Sequence, residues 1–220
     1  MKLRLPWPTR AHAGKTPDST LNPALRSEMR RSFDEAALDE EHFPATIDPR
    51  IQHVQVLLKF FGDLTDKHVL DVGCGKGRFD RVLLETNPRA KIIGLDISEA
   101  MLACVSAGIE RVSGYMTELP FAASAFDFVY ATESLEHAVE IETAVAEMCR
   151  VLKPGGKLAI IDKNAEHWGR FKTPDWERWF QRRDLEKLLG RYCRTVRSEF
   201  LSYWDDVPPD GLFLIWFAEK

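Results

Sequence analysis

Cysteine is scarce in this chain. There are four in 220 residues, Cys74, Cys104, Cys149 and Cys193, widely spaced and never forming a Cys-x-x-Cys pair. That pattern excludes a zinc ribbon or a disulfide framework and fits a reducing, cytoplasmic setting. Long hydrophobic runs are absent too, and nothing approaches the ~18 apolar residues that a membrane span requires. The opening MKLRLPWPTR has charge but no apolar centre, so it is not expected to act as a signal peptide. Nor is there an excess of positive charge: 30 Lys and Arg stand against 34 Asp and Glu, a net charge of −4. A dedicated nucleic-acid binder needs a basic surface to neutralise phosphates, so that class is disfavoured. No internal repeat or low-complexity tract occurs. What remains is an ordinary globular mixture, 45% hydrophobic and 29% charged, long enough for one domain with a full core.

The charge is unevenly placed. Residues 1–31 are basic, Asp34 to Glu41 form an acidic run, and a second basic cluster lies between Arg170 and Arg197. Such runs read as solvated faces, or as places where an anionic small molecule or a membrane surface is met. Residues 1–22, rich in Pro, Thr, Ser and basic residues, read as a flexible arm. Residues 23–220 read as a single domain.

Two helices are expected first. Leu25, Met29, Phe33, Ala36 and Ala37 recur at helical spacing after Asn22-Pro23. A second helix is expected to start at Asp48-Pro49, with Ile51, Val54, Leu57, Leu58 and Phe61 on its apolar face. Strands and helices then alternate. Strands are expected at 68–73, 91–98, 111–116, 126–132 and 157–162. Helices are expected at 77–87, through Met101 and Val105, and at 141–153, where Pro154-Gly155-Gly156 acts as a stop signal. A Trp-rich helix over about 174–190 and two last strands, joined around Pro208-Pro209-Asp210-Gly211, complete the chain. This order predicts a doubly wound α/β fold: a mainly parallel seven-stranded sheet with an antiparallel last strand, binding its ligand at the carboxyl ends of the strands.

The stretch VLDVGCGKGRF places Gly73, Gly75 and Gly77 where the first strand must turn into a helix. Glycine costs backbone entropy, so three at alternate positions imply that something comes very close to the backbone. A dinucleotide would call for GxGxxG, but the spacing here is GxGxG and position 78 is Arg; a phosphate loop would call for GxxxxGK[ST], which is absent. DVGCGKG at 71–77 instead resembles motif I of the class I S-adenosylmethionine (SAM)-dependent methyltransferases, of the small-molecule type that includes ubiquinone-pathway enzymes. The resemblance extends over roughly residues 50–165, through GLDIS, ELPF (118–121), FDFVYATESLEH and VLKPGGKLAI.

The resemblance implies SAM as cofactor, S-adenosylhomocysteine as product, and a Rossmann-like fold. It assigns the cofactor to Asp71, Gly73, Cys74, Gly75 and Gly77 of the turn, to Asp96 for the ribose hydroxyls, to Ile97, Met101, Met116 and Thr117 around the adenine, and to Glu133. Family members usually carry Asp where Tyr115 stands, so the adenine amino group would have to be met by the backbone at Met116 or Thr117, or by another side chain. SFDEAA (32–37) resembles a lid segment that folds over the cofactor, with residues 23–62 as covering helices; an ordinary amphipathic helix would look the same.

The acceptor is expected to be a small molecule, possibly anionic given Arg170 and Lys172, and its reacting atom a hydroxyl oxygen. Catalysis is assigned to His137 and Glu136. His137 reads equally as a general base or as a histidine with a structural hydrogen bond. E-x-x-E-H (133–137) also resembles a metal-binding cluster of ubiquinone-pathway and small-RNA 2′-O-methyltransferases, with His167 as an added ligand, but the preferred reading has no metal. Trp176, Trp179 and Phe180 read as the core face of a helix, and Trp168 as a candidate for the acceptor pocket. The rival readings are a SAM-binding module without turnover and, less favoured, a nicotinamide-dependent oxidoreductase. Oligomeric state is not legible.

Overall fold

The computed structural model describes residues 21–220; the expected flexible arm falls almost wholly outside the described residues. The sheet has seven strands: β1 (His68–Val72), β2 (Lys91–Asp96), β3 (Glu110–Ser113), β4 (Phe126–Thr132), β5 (Leu152–Lys163), β6 (Thr195–Leu201) and β7 (Phe213–Glu219). Their order is β3-β2-β1-β4-β5-β7-β6. β1 to β5 pair in parallel, and β7 lies antiparallel between β5 and β6. The expected doubly wound architecture is therefore present.

Alternation along the strands makes the two faces. Val69, Ala159 and Ile161 meet α2 (Gln52–Phe61), α3 (Arg78–Thr86) and α4 (Glu99–Ala103) on one side. Leu70, Val72, Leu158 and Ile160 meet α5 (Ile141–Val151) and α6 (Arg182–Leu189) on the other. Trp216, on β7, is fully buried, and its indole N–H donates to the Arg182 carbonyl at 3.0 Å, so its one polar atom is satisfied.

Three expectations change. The second helix begins at Gln52, not at Asp48-Pro49: the Asp48 carboxylate is taken by the Arg50 side chain and N–H instead of capping a helix. Pro154-Gly155-Gly156 does not end a helix; α5 stops at Val151 and those residues belong to the start of β5. The Trp-rich helix is only α6, and residues 174–181 are irregular. Trp176, Trp179 and Phe180 are still core residues, each 7% exposed, but held on that irregular segment by a bridge between Asn164 and Phe180.

α1 (Pro23–Ala36) starts as expected, with the Asn22 side chain accepting the Leu25 N–H and Pro at its first position. It packs on α4 through Ala36, Ala37 and Met101. α2 packs into the core against α3, and its His53 meets Tyr203 and Phe213 near the carboxyl end of β5.

Candidate active site

The carboxyl ends of β1, β2, β4 and β5 open into one cavity of about 760 Å³. Ligand pockets span about 300–1,000 Å³, so this one is large enough for two small molecules side by side. Every residue that the resemblance assigns to the cofactor or to catalysis lines it except Gly77.

At one end is the glycine turn. Gly73, Gly75 and Gly77 all have positive φ (81°, 53° and 71°), which favours glycine at each. Their surroundings differ. A Cβ on Gly73 would lie 2.5 Å from that of Ser134, so this glycine lets the loop after β4 pass. A Cβ on Gly75 would meet nothing within 4 Å, because that position faces the open cavity. Gly77 precedes α3 and packs against Val105, outside the lining of the cavity. The Cys74 thiol points inward, against Gly94, so only the backbone of Cys74 is offered to the cavity.

Asp96 ends β2 and holds the turn. Its carboxylate accepts the Gly75 N–H at 2.8 Å and the Ser98 N–H at 2.9 Å. Burial raises its pKa, and those N–H groups oppose the rise. Each carboxylate oxygen retains capacity for a further donor, such as a ribose hydroxyl. Ile97, Met101 and Met116 form an apolar slot beside it, and the buried Thr117 hydroxyl there has no partner among the described residues. Tyr115 lies under the guanidinium groups of Arg26 and Arg30, 4.5 and 5.8 Å from its ring centre, which ties α1 to the rim of this slot. Beneath the turn, Asp71 and Asp80 are buried together, with the Tyr130 hydroxyl donating to Asp80 at 2.6 Å. Burial pushes Asp80 up to about 7; burial and the Asp80 charge raise Asp71.

α1 and the segment after it cover this end. Phe33 lines the cavity, Asp34 accepts the Ser98 hydroxyl at 2.6 Å, and Glu40 pairs with Lys76 of the turn.

The other end is built from ionisable side chains. Glu133 follows β4 with φ of 51°, an uncommon conformation for a residue with a side chain. This turns it toward Arg78 (3.3 Å) and the Tyr203 hydroxyl (3.5 Å). Glu136 and His137 sit on the short 3-10 turn 135–137. Glu136 is 1% exposed and pairs with Lys163, at the end of β5; the Asp162 carboxyl, raised by burial and by the Glu136 charge, lies against it and accepts the Glu136 N–H at 3.0 Å. Glu177 lies 3.8 Å from Lys163, 3.9 Å from His137 Nδ1, and accepts the Trp179 indole N–H at 2.6 Å. Burial pushes His137 down to about 4. Burial, with the Glu136 charge, pushes Glu177 up to about 8. Burial, the largest single influence on both, would lower Lys163 and raise Glu136, but the neighbours together outweigh it: Glu136, Glu177, Glu133 and Asp162 hold the lysine above its ordinary value, and Lys163, His137 and Asp162 hold the Glu136 carboxyl below its own.

Glu136, His137 and Glu177 place donor atoms within 4.8 Å of one another. The Lys163 ammonium sits against this group, pairing with Glu136, and Glu133 is turned away to Arg78. His167 is outside it, beside Gly211. Trp168 does not line the cavity; it stands edge-on to Trp179, 5.4 Å away and 45% exposed, while Phe171 takes the place expected for it. Arg170, at the rim, is paired with Asp210. Lys163 follows the rule that residues at the carboxyl ends of strands face the site. Glu177 gave no such signal, because its segment reads as helix.

A family model described as a methyltransferase domain matches residues 70–160. That match and the geometry of the turn support a class I SAM-dependent methyltransferase domain over those residues. SAM is its cofactor, and the glycine turn, Asp96, the apolar slot and the unpartnered Thr117 hydroxyl fit that molecule. The demethylmenaquinone methyltransferase of Lactococcus lactis is 38% identical over 114 residues, 48% of this chain and 45% of the relative. An O-methyltransferase of Aspergillus sclerotiorum is 36% identical over 168 residues, 67% of this chain and 62% of the relative. The chain thus spans about half of the first relative and under two thirds of the second. Among solved structures, a [4+2]-cyclase, SpnF, superposes with a TM-score of 0.73 at 20% identity, covering 89% of this chain and 96% of that one; it shows the fold alone. Among the described residues, no helix is long and apolar enough to cross a membrane.

Proposed function

We propose that this protein transfers the methyl group of SAM to a hydroxyl oxygen of a small, largely apolar molecule, by in-line displacement, within the single domain 23–220. The observation that carries this reading is one continuous cavity, with the Asp96-held turn at one end and the Lys163 cluster at the other. Bound SAM supplies an already activated methyl group, so the chain's task is mostly proximity and orientation.

Asp96 and the backbone around Gly75 anchor the cofactor, and Met116 and Thr117 hold its adenine. Tyr115 serves the covering helix instead of the adenine. Phe33, Phe171 and Phe213 exclude water and offer apolar surface to the acceptor. Glu136 and His137 remain at the polar end, as the sequence suggested, but in unequal roles. Glu136 is held by Lys163, and His137 is neutral near pH 7 and available for a hydrogen bond.

Calorimetric titration with S-adenosylhomocysteine, with NAD as control, tests the cofactor assignment. One saturable site for the former alone is expected. Asp96→Ala should weaken it by more than 1.5 kcal/mol, roughly the loss of charged hydrogen bonds. Binding of NAD, or affinity unchanged by Asp96→Ala, would refute the assignment.

A further inference from the structure

The proton that leaves the acceptor hydroxyl needs a destination, and this deepens the reading above and rests on it. We propose that Glu177 is the group that takes this proton, and that the polar end of the cavity selects a hydroxyl and rejects a carboxylate. Three observations converge. Glu177 lines the cavity although its segment lies far in sequence from the glycine turn. Its carboxyl is clamped on one oxygen by the Trp179 indole, which directs the other toward His137. One buried atom beside it, His137 Nδ1, has no hydrogen-bond partner among the described residues. Leaving such an atom unpaired is unfavourable, and a hydroxyl can satisfy it.

The charges decide the acceptor class. Three carboxyl groups, Glu133, Glu136 and Glu177, surround this end. Its two cations are already engaged, Arg78 with Glu133 and Lys163 with Glu136. A carboxylate entering here would meet like charge in a desolvated place, whereas a phenol-like or enol-like hydroxyl would meet acceptors. In the transfer, the acceptor O–H bond breaks and its proton joins the ionised Glu177. The oxygen's electron pair forms the new O–CH₃ bond while the C–S bonding pair returns to sulfur, leaving a neutral thioether and a protonated carboxyl.

Proton acceptors work best when their affinity for the proton matches the working pH. Burial takes His137 down to about 4, too weak a base, and takes Glu177 up to about 8. The groups facing Glu177 are Glu136 and His137 from the turn after β4, Lys163 from β5, and Trp179 and Arg178 beside it, with Glu133 farther off. Lys163 opposes the rise and the carboxylates support it.

The test uses the full chain with tritiated SAM and two probes of equal tail, 4-octylphenol and octanoate, between about pH 6 and pH 9.5. The expected product is the phenol ether alone, with a rate that climbs about ten-fold per pH unit and levels above about pH 8. Glu177→Gln should lower kcat about 100-fold and flatten that climb, and Glu177→Asp should keep the climb at reduced kcat. S-adenosylhomocysteine affinity should stay within about two-fold in both, since neither change touches the glycine turn. Methylation of octanoate, or no methylation of the phenol, would overturn the acceptor class. An unaltered pH profile in Glu177→Gln would overturn the role of Glu177. A readout without turnover is available, because Trp179 reports on the carboxyl it binds. Tryptophan emission should titrate near pH 8 in the native chain and not in Glu177→Gln, and the same titration in both would also overturn that role. Failure of S-adenosylhomocysteine to bind the native chain would instead count against the cofactor assignment.

Discussion

The two ends of the cavity are made of different materials. The cofactor end is mostly backbone: a turn of three left-handed glycines, N–H groups directed at one carboxylate, and an apolar slot. All of it comes from residues 71–117. The acceptor end is mostly charge. Arg78, Glu133, Glu136, His137, Lys163, Glu177 and Tyr203 come from five separate segments and meet only in the folded chain. A backbone cradle recognises one fixed molecule and withstands most side-chain changes. A buried charge cluster is re-tuned by any single substitution, which is how one fold can serve many acceptors.

The sharpest way to break this contrast is Lys163→Met. It leaves Glu136 buried without its counter-charge, and removing one partner of a buried pair destabilises by about 3–5 kcal/mol. Urea denaturation should show that loss, while S-adenosylhomocysteine affinity, measured where the variant is folded, should be nearly native. A large loss of affinity would mean that the two ends are not separable.

A smaller effect is expected under the glycine turn. Asp80 keeps its proton up to about pH 7 in the folded chain but loses it near 3.8 when unfolded. The unfolded state therefore binds fewer protons between those values, and this group lowers stability as pH rises from about 4 to 7. Asp80→Asn removes that contribution, so the variant should gain on the native chain by on the order of a few kcal/mol between pH 4.5 and pH 8. A stability difference independent of pH would show that Asp80 is ionised in the fold.

The smallest effect should come from Tyr115→Phe. The hydroxyl receives only a long bond from Arg30, at 3.4 Å, while the ring keeps both guanidinium groups. Affinity for S-adenosylhomocysteine should change by less than about 0.5 kcal/mol. A larger loss would move Tyr115 from the cover into the binding slot.

This contrast also explains what could be read in advance. The cofactor end is local: glycines at alternate positions after an apolar strand, then an acid at the end of the next strand. The family resemblance carried by that spacing points to Asp71, Gly75 and Asp96, and all three line the cavity. Gly77 shares the spacing of its neighbours but packs on Val105, outside the cavity lining, a placement that spacing cannot distinguish. The acceptor end is non-local. Glu136 and His137 were visible as a motif, but their partner Lys163 lies 27 residues beyond Glu136. Glu177 was hidden because PDWERWF has helical spacing, and the bridge from Asn164 to Phe180 that keeps it irregular is a tertiary contact. The same override moved the start of α2, where Arg50 competes for the cap.

The pairing of Lys76 with Glu40 has a consequence for timing. Lys76 belongs to the glycine turn, its side chain is 1% exposed, and its partner belongs to the segment after α1. The chain is in effect buttoned over its own binding turn. A molecule held beneath it is expected to leave when that button and the Asp34–Ser98 bond come undone, so the cover as well as the fit should set its release.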